Sequence, residues 1–331
     1  MVNRYYAKIS GTGHYVPEKV LNNFDLEKIV DTNDEWIRTR TGMFERRIAA
    51  PDQAASDLAY EASLKALESA NLRAKDIDLV IVGTISGDHA FPSTACLVSK
   101  KLGIKNVPAF DVSAGCPGWI YASNIALQFV ENGTSKNVLV IGVEVLTRIV
   151  NYEDRNTCVL FGDGAGATIM SRAEPKDISR VIDSDISADG HYSDLLIQPA
   201  GGSKMPATEQ TVKDKLHTIH MEGNKVFKLA VKSMYSSCDL LLKRNNLDVK
   251  SIDWLLTHQA NLRIIDALGK KMKIDKDKVI INIEKYANTS AATIPIALDE
   301  AIRSGKIRKG DIVLMSSFGA GLTSGSLLIR Y

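Results

Sequence analysis

The sequence predicts an α/β fold built from two similar halves. Three observations carry this reading. Short apolar runs suited to buried strands alternate with stretches of helical spacing along the chain. The stretch Asn71-Leu72-Arg73-Ala74-Lys75-Asp76-Ile77-Asp78-Leu79 is echoed by Asn246-Leu247-Asp248-Val249-Lys250-Ser251-Ile252-Asp253-Trp254, at an offset of 175 residues. Further on, Phe161-Gly162-Asp163-Gly164-Ala165-Gly166 is echoed by Phe318-Gly319-Ala320-Gly321.

In chain order, Ala54 to Asn71 places its apolar residues near helical spacing and predicts a helix. Ile77 to Thr84 is a short apolar run followed by Gly87, and predicts a buried strand. A strand end before Asp111 leads into a helical pattern that runs to Asn132-Gly133, with Gly133 suited to the C-cap. Val138 to Val143 predicts a second buried strand, Ala167 to Met170 a third and Ile252 to Leu256 a fourth. A repeat near half the chain length indicates two packed halves rather than a solenoid. The expected division is residues 1–174 and 175–331, with the boundary near Ser171 to Asp177. Ligand sites in such arrangements tend to lie where the halves meet.

The 331 residues suffice for a large core, with 45% hydrophobic and 24% charged residues, as in soluble globular proteins. Basic and acidic residues number 41 and 39, and a net charge of +2 gives no support for a nucleic-acid binder. No run of about 18 apolar residues is present to span a membrane. The start, Met1-Val2-Asn3-Arg4-Tyr5-Tyr6, lacks the apolar stretch of a secretory signal, so a cytoplasmic protein is expected. Four cysteines in this length do not make a disulfide framework, and the question becomes which thiol is activated.

Cys116 lies in Asp111-Val112-Ser113-Ala114-Gly115-Cys116-Pro117-Gly118-Trp119. With Pro117 at the first helical position, the cysteine sits at a strand-to-helix elbow, at the positive end of a helix. A thiolate is favoured there and the thiol pKa is expected to fall. On spacing alone, a small buried cysteine beside a turn is an equally good reading. Cys158 is expected in an apolar strand and Cys238 in an apolar helix, and these two and Cys96 are read as structural.

His258, in Thr257-His258-Gln259-Ala260-Asn261, follows an apolar strand and takes the place that Gly83 holds in the first half. By the same offset, Tyr286-Ala287-Asn288-Thr289-Ser290-Ala291-Ala292 takes the place of Asp111 to Pro117, so Asn288 precedes a related helix start. Without other context that asparagine reads as an ordinary turn or cap residue. His14, His191, His217 and His220 are read as structural; His89, before Phe91-Pro92, is left open. The Gly162 to Gly166 segment is followed by a strand pattern where a nucleotide-phosphate loop needs a helix, so nucleotide binding there is excluded. Gly319 and Gly321 allow a backbone N–H to approach a substrate closely.

Together these segments resemble β-ketoacyl-[acyl-carrier-protein] synthase III across essentially the whole chain. The matching motifs include Gly11-Thr12-Gly13, Asp31 to Gly42, the Cys116 elbow, Asp154-Arg155-Asn156-Thr157, Phe161 to Gly166, Glu222 to Lys228, His258 to Arg263 and Asn288 to Ala292. The resemblance implies the thiolase fold, with two duplicated halves in a five-layered α/β/α/β/α arrangement, and a homodimer. It implies that Cys116 takes an acyl group from acetyl-CoA or another short acyl-CoA and condenses it with malonyl-acyl-carrier-protein as CO2 leaves. No cofactor or metal is implied.

By the same resemblance, His258 and Asn288 donate hydrogen bonds to the malonyl thioester oxygen. The N–H groups of Cys116 and Gly319 form an oxyanion hole, and Phe318 gates the decarboxylating end. Trp36 and Arg155 sandwich the adenine, with Thr32, Arg40 and Asn224 as further coenzyme contacts. Gln259, Ala260, Asn261, Leu262, Arg263 and Lys228 are implied to meet the acidic carrier protein. Lys270 and Lys271 extend that patch or form an ordinary solvated face. Phe91 closes the partner subunit's acyl pocket and favours a short straight primer. The chain departs from the family at Pro117, Gly115, Ala287, Ala320 and Ser324, where primer choice and pathway are in question. A specialised condensing enzyme of secondary metabolism is the nearest alternative. A cysteine hydrolase and a non-catalytic acyl-binding module are more distant ones.

Overall fold

A computed structural model describes residues 5–331; Met1 to Arg4, part of the stretch read for a secretory signal, lie outside the described residues. Ten strands form two five-stranded sheets. The first contains β1 (Tyr6–Tyr15), β2 (Leu79–Gly83), β3 (Ala109–Val112), β4 (Asn137–Val145) and β5 (Asp163–Ala173). The second contains β6 (Arg180–Ala188), β7 (Trp254–Thr257), β8 (Val279–Ile280), β9 (Ile312–Gly319) and β10 (Thr323–Arg330). Their strand orders, β1-β5-β4-β2-β3 and β6-β10-β9-β7-β8, are the same pattern twice. In each sheet the last three strands of that order run parallel, and the first two pair antiparallel.

There are seven longer helices, α1 (Asp34–Thr41), α2 (Ala55–Ala70), α3 (Thr94–Leu102), α4 (Gly118–Glu131), α5 (Gly223–Arg244), α6 (Leu262–Met272) and α7 (Thr293–Arg303), of which α2 to α7 clothe the sheets and α1 packs beside α6. Leu58, Ala62, Ala66 and Val98 of α2 and α3 pack on the outer face of the first sheet, against Val80, Val82, Leu139 and Ile141. Met234, Leu241, Ile265 and Leu268 of α5 and α6 do the same on the second, against Leu255, Leu314 and Leu328. Between the sheets lie α4 and α7. Trp119, Ile120, Ala126, Ile294 and Leu298 share one core with Ile81 and Val140 from the first sheet and Leu256 and Met315 from the second. The layer order is therefore α/β/α/β/α, as the resemblance implied. The parallel strands are apolar on both faces because helices cover both.

A buried polar cluster also ties the sequence's two ends together. Asp299 of α7 accepts hydrogen bonds from Thr12 Oγ1 (2.6 Å) and Arg303 Nε (2.8 Å), and its other contact is His14 Nδ1 at 2.6 Å. His14 is thus structural, as expected. Among the described residues, no helix is long and apolar enough to cross a membrane.

Two local expectations are corrected. Pro117 is the N-cap of α4, one residue before the first helical position, with φ −70° and ψ 2°. Cys158 ends a short helix, Arg155–Cys158, and not a strand, because the Asp154 side chain accepts from the Asn156 N–H and starts a helical turn there. Cys238 lies buried in α5 as expected, whereas Cys96 is exposed on α3.

Candidate active site

Strand β3 ends at Val112, and the chain turns through Gly115, at φ +61°, into α4. A Cβ on Gly115 would stand 2.9 Å from the Ala320 N, so this turn needs glycine both for its dihedral and for the loop above it. Cys116 thus sits at the mouth of α4, as expected. The second half repeats the device 175 residues later. There β7 ends at Thr257, His258 follows, and a turn through Asn288 and Ser290–Ala292 leads into α7.

The structure brings Cys116, His258 and Asn288 to one cavity of about 780 Å³. Phe318 and Gly319 of β9 line the same cavity, as do Trp36, Arg40, Asn224, Lys228, Ala260, Asn261 and Arg263. Gly319 presses against the elbow, where a Cβ would lie 2.5 Å from the Cys116 N. Among the described residues the Cys116 N–H has no acceptor from another residue, which leaves it free for a bound oxyanion. Asn288 Oδ1 accepts from the Ser290 N–H at 2.8 Å; this fixes the carboxamide and leaves its NH2 to donate into the cavity. His258 Nδ1 lies 2.7 Å from Thr293 Oγ1, so Nε2 is the ring atom left for the cavity.

The electrostatics correct one expectation. Burial pushes the Cys116 thiol up to about 12, against the opposing pull of the Ser290 hydroxyl beside it, and the Glu144 carboxylate adds to the rise. The helix mouth contributes at most about 2 kcal/mol and does not reverse that burial. His258 is driven down to about 3 by burial and stands as a neutral imidazole. Burial thus favours the neutral thiol on one side of the cavity and the neutral imidazole on the other.

Other expected residues fall outside the cavity wall. Arg155 stacks on the Trp36 indole, its guanidinium carbon 5.3 Å from the ring centroid, and also donates to the Asp31 carbonyl at 3.0 Å. Two stacking layers need about 7 Å, so Arg155 must swing away before a purine fits between the two. Thr32 has a buried hydroxyl with no partner among the described residues. Leu262 packs against Gly42. Gln259 is only 1% exposed; it donates to the carbonyls of Thr257 (2.8 Å) and Ile280 (3.3 Å) and accepts from the Asn282 N–H. It is a structural brace and cannot meet a carrier protein. Asn261, which does line the cavity, also caps α6 through the Arg263 N–H and donates to the Arg40 carbonyl. Lys271 lies over the Tyr235 ring, while Lys270 is solvated. Phe91 is 87% exposed, far from being a wall of this chain's own cavity.

Two polar groups near the site went unnoticed in the sequence. Thr293 holds the His258 ring. Glu144 is a fully buried carboxylate at the end of β4, and its one available signal was an acidic residue inside the apolar run Val138 to Val145. A second hollow, lined by Tyr15, Asp57, Tyr60 and Lys101, lies on the outer surface and contains no nucleophile. No three His, Cys, Asp or Glu residues are placed to hold a metal ion among the described residues.

Comparison with known proteins gives a consistent result. Residues 110–190 match the family described as 3-oxoacyl-[acyl-carrier-protein (ACP)] synthase III, and residues 242–331 match its C-terminal part. The chain is 56% identical over 331 residues to the β-ketoacyl-[acyl-carrier-protein] synthase III of Caldanaerobacter subterraneus subsp. tengcongensis, covering 100% of this chain and 99% of that one. It is 50% identical to the same enzyme of Desulfitobacterium hafniense, covering 98% of this chain and 97% of that one. The crystal structure of 3-oxoacyl-[acyl-carrier-protein] synthase III from Aquifex aeolicus superposes with a TM-score of 0.90 at 48% identity, covering 98% of this chain and 100% of that one.

Proposed function

This chain belongs to the β-ketoacyl-[acyl-carrier-protein] synthase III family, and on that premise we propose how its residues divide the reaction. It is an acyltransferase that performs the initiating condensation of fatty-acid synthesis. In our reading the first half, residues 1–174, supplies the nucleophile, and the second, 175–331, supplies the imidazole and the carboxamide. The convergence of Cys116, His258 and Asn288 on one cavity is the observation that carries the assignment.

The Cys116 sulfur attacks the acyl-CoA carbonyl carbon, the tetrahedral oxyanion rests on the N–H groups of Cys116 and Gly319, and CoA leaves as its thiolate. Malonyl-acyl-carrier-protein then places its thioester oxygen between His258 Nε2 and Asn288 Nδ2. When the malonyl carboxylate departs as CO2, its electron pair becomes an enolate on that oxygen. Two neutral donors suit this role because the charge they meet exists only at and beyond the transition state. A neutral His258 is what the burial of that ring supplies. The enolate carbon attacks the acyl group, and the Cys116 sulfur leaves. Phe318 covers the decarboxylating end.

Trp36, Arg155, Thr32, Arg40 and Asn224 hold the coenzyme, with Arg155 opening from its stack to admit the adenine. Arg263 and Lys228 at the rim, with Ala260, Asn261 and Leu262, receive the acidic carrier protein. The enzyme works as a cytoplasmic homodimer without a cofactor. The exposed Phe91 ring enters the partner's acyl pocket and favours acetyl over branched primers; a higher kcat/KM for isobutyryl-CoA than for acetyl-CoA would refute that.

Intact mass spectrometry tests the division of labour. Acetyl-CoA is expected to add one acetyl to the wild type and none to Cys116→Ala, which still decarboxylates malonyl-acyl-carrier-protein. His258→Ala and Asn288→Ala are expected to acetylate while losing about 10²–10³-fold in decarboxylation, the usual effect of deleting one oxyanion donor. If His258→Ala abolished acetylation and spared decarboxylation, the assigned roles would be reversed.

A further inference from the structure

A donor that meets the malonyl thioester must be held in one orientation, and the duplicated fold shows what holds Asn288. The 175-residue offset between the halves places Ser290 on Gly115 and Glu144 on Gly319. Space repeats that correspondence. In each half a turn with positive φ leads into the buried helix, through Gly115 at +61° into α4 and through Ser290 at +48° towards α7. Each turn is met by the central strand of the opposite sheet: Gly319 of β9 presses on the Cys116 elbow, and Glu144 of β4 meets Ser290, whose Oγ donates to Glu144 Oε1 at 3.0 Å. On the Cys116 side both places are glycine, and the two backbones come close. On the Asn288 side both places carry polar side chains, joined to each other. We propose that Ser290, held by Glu144, is a positioning residue for Asn288, and that this tie sets the turn so that the carboxamide presents its NH2 to the malonyl thioester oxygen. This deepens the reading of Asn288 as a decarboxylation donor and rests on it.

The contacts run in an unbroken line from the first half to the carboxamide. Glu144 is 0% exposed, and its Oε2 accepts from the Ile85 N–H (3.2 Å), the Thr84 hydroxyl (3.3 Å) and the Ser86 hydroxyl, which anchor the side chain on that side. Oε1 is left for the Ser290 hydroxyl. The Ser290 N–H donates to Asn288 Oδ1 at 2.8 Å. Turned end for end, the carboxamide would set its NH2 against that N–H, donor against donor. The Asn288 main chain is pinned to the first half as well: its N–H donates to the Leu160 carbonyl (2.9 Å), and its carbonyl accepts from the Gly162 N–H (3.0 Å). Asn288 lines the cavity, whereas Ser290 and Glu144 stand behind its wall. They act through the asparagine and touch no substrate.

The backbone gives a reason for a tie of this kind. Asn288 lies between two left-handed residues, Ala287 at φ +53° and Ser290 at φ +48°. A residue with a Cβ is disfavoured there where glycine is not, and Gly115 is what the first half uses at the matching place. Such strain persists only where the surroundings over-determine it. Leu160 and Gly162 fix the main chain before the turn, and Glu144 fixes Ser290 within it. A glycine at 290 would relax the backbone and lose the hydroxyl that reaches Glu144.

The test is a double-mutant cycle on the full chain with Ser290→Ala, Asn288→Ala and both together. Ser290→Ala keeps the N–H at 290 and removes only the tie. It is expected to lower kcat for decarboxylation of malonyl-acyl-carrier-protein about tenfold, with KM changed less than about twofold and single-turnover acetylation of Cys116 kept within about threefold. In the Asn288→Ala background the same substitution is expected to cost less than about twofold, because the group it positions is gone. Glu144→Ala is expected to match Ser290→Ala. Glu144→Gln is expected to recover most of that loss, since its NH2 can donate to Ser290 Oγ while its oxygen meets residues 84–86. Should Glu144→Ala fail to fold, Ser290→Ala decides, for it deletes the same hydrogen bond from the other end. Wild-type decarboxylation in Ser290→Ala would overturn the inference. So would acetylation and decarboxylation falling in step, or a loss as large in the Asn288→Ala background as in the wild type. Undiminished decarboxylation in Asn288→Ala would instead sink the donor assignment itself.

Discussion

The Thr293 hydroxyl has one proton and two acceptors in reach, His258 Nδ1 at 2.7 Å and the Ser290 carbonyl at 3.0 Å. Turned to the ring, it leaves the imidazole proton on Nε2, where it can donate into the cavity. Turned to the carbonyl, it accepts from Nδ1–H and leaves Nε2 bare. The proposed donation from Nε2 to the malonyl thioester needs the first arrangement, so Thr293→Val is expected to slow malonyl decarboxylation about tenfold, the worth of one hydrogen bond, while Thr293→Ser retains it. Equal rates in both variants would show that the hydroxyl does not set the tautomer. Trp36 offers a contrasting case: in the proposed reading its ring holds a part of the coenzyme remote from the chemistry, so Trp36→Ala is expected to raise KM for acetyl-CoA about tenfold with kcat nearly kept. Initial-rate kinetics on the two variants separate these patterns. Cys116 and His258 stood out by residue type and by their place beside a helix start or a strand end, whereas Asn288 read as an ordinary turn residue and was singled out only by the resemblance of the whole chain. Thr293 and Glu144 were not, because their meaning depends on partners distant in the chain: Glu144 meets Ser86 58 residues away and Ser290 146 residues away. Gln259 misled for the opposite reason, since its place next to His258 said nothing of the direction in which its side chain is buried.

Helices α4 and α7 begin 175 residues apart, at Gly118 and Thr293, and each reaches the sheet layers through a glycine on a neighbouring strand. A Cβ on Gly83 of β2 would stand 2.4 Å from the Gly118 carbonyl carbon. A Cβ on Gly142 of β4 would stand 2.2 Å from the Ala291 carbonyl oxygen and 2.8 Å from its carbon. These obstacles are backbone atoms, which no rotamer change can clear. Gly142→Ala must therefore push the Ser290–Ala292 turn away from the sheet and carry Asn288 and Ser290 with it. It is expected to cost about 1–3 kcal/mol of stability, as overpacking does, and to reduce condensation more than the stability loss explains. A denaturant melt together with the decarboxylation rate checks this, and a stable, fully active variant would show that the turn can yield. At this scale the strands were readable wherever a whole run is apolar, as in β2, β4 and β7. The two-residue β8 and the Arg155–Cys158 turn were not, because one is too short for a period and the other is decided by a single cap, Asp154.

Across the whole molecule, the two buried groups around Cys116 oppose each other in their effect on stability. His258 titrates near 3 in the folded chain against an ordinary 6.5, so from pH 3 to 6.5 the unfolded state binds the extra proton and stability rises with pH. Glu144 titrates near 7 against an ordinary 4.5, so from pH 4.5 to 7 the folded state binds the extra proton and stability falls as pH rises. Between pH 4.5 and 6.5 the two slopes, each about 1.4 kcal/mol per pH unit, cancel. Glu144→Gln removes only the second. The stability of that variant relative to the wild type is therefore expected to climb by about 3 kcal/mol between pH 4.5 and pH 7, and to level off above it. Comparing urea midpoints of the two proteins at half-unit steps in pH, with the slopes of the transitions checked for equality, reads this difference directly and cancels every group the two proteins share. A difference that stayed constant across that range would mean that Glu144 is already ionised in the folded chain at pH 4.5. The four hydrogen bonds to its carboxylate, from Thr84, Ile85, Ser86 and Ser290, would then have overcome its burial.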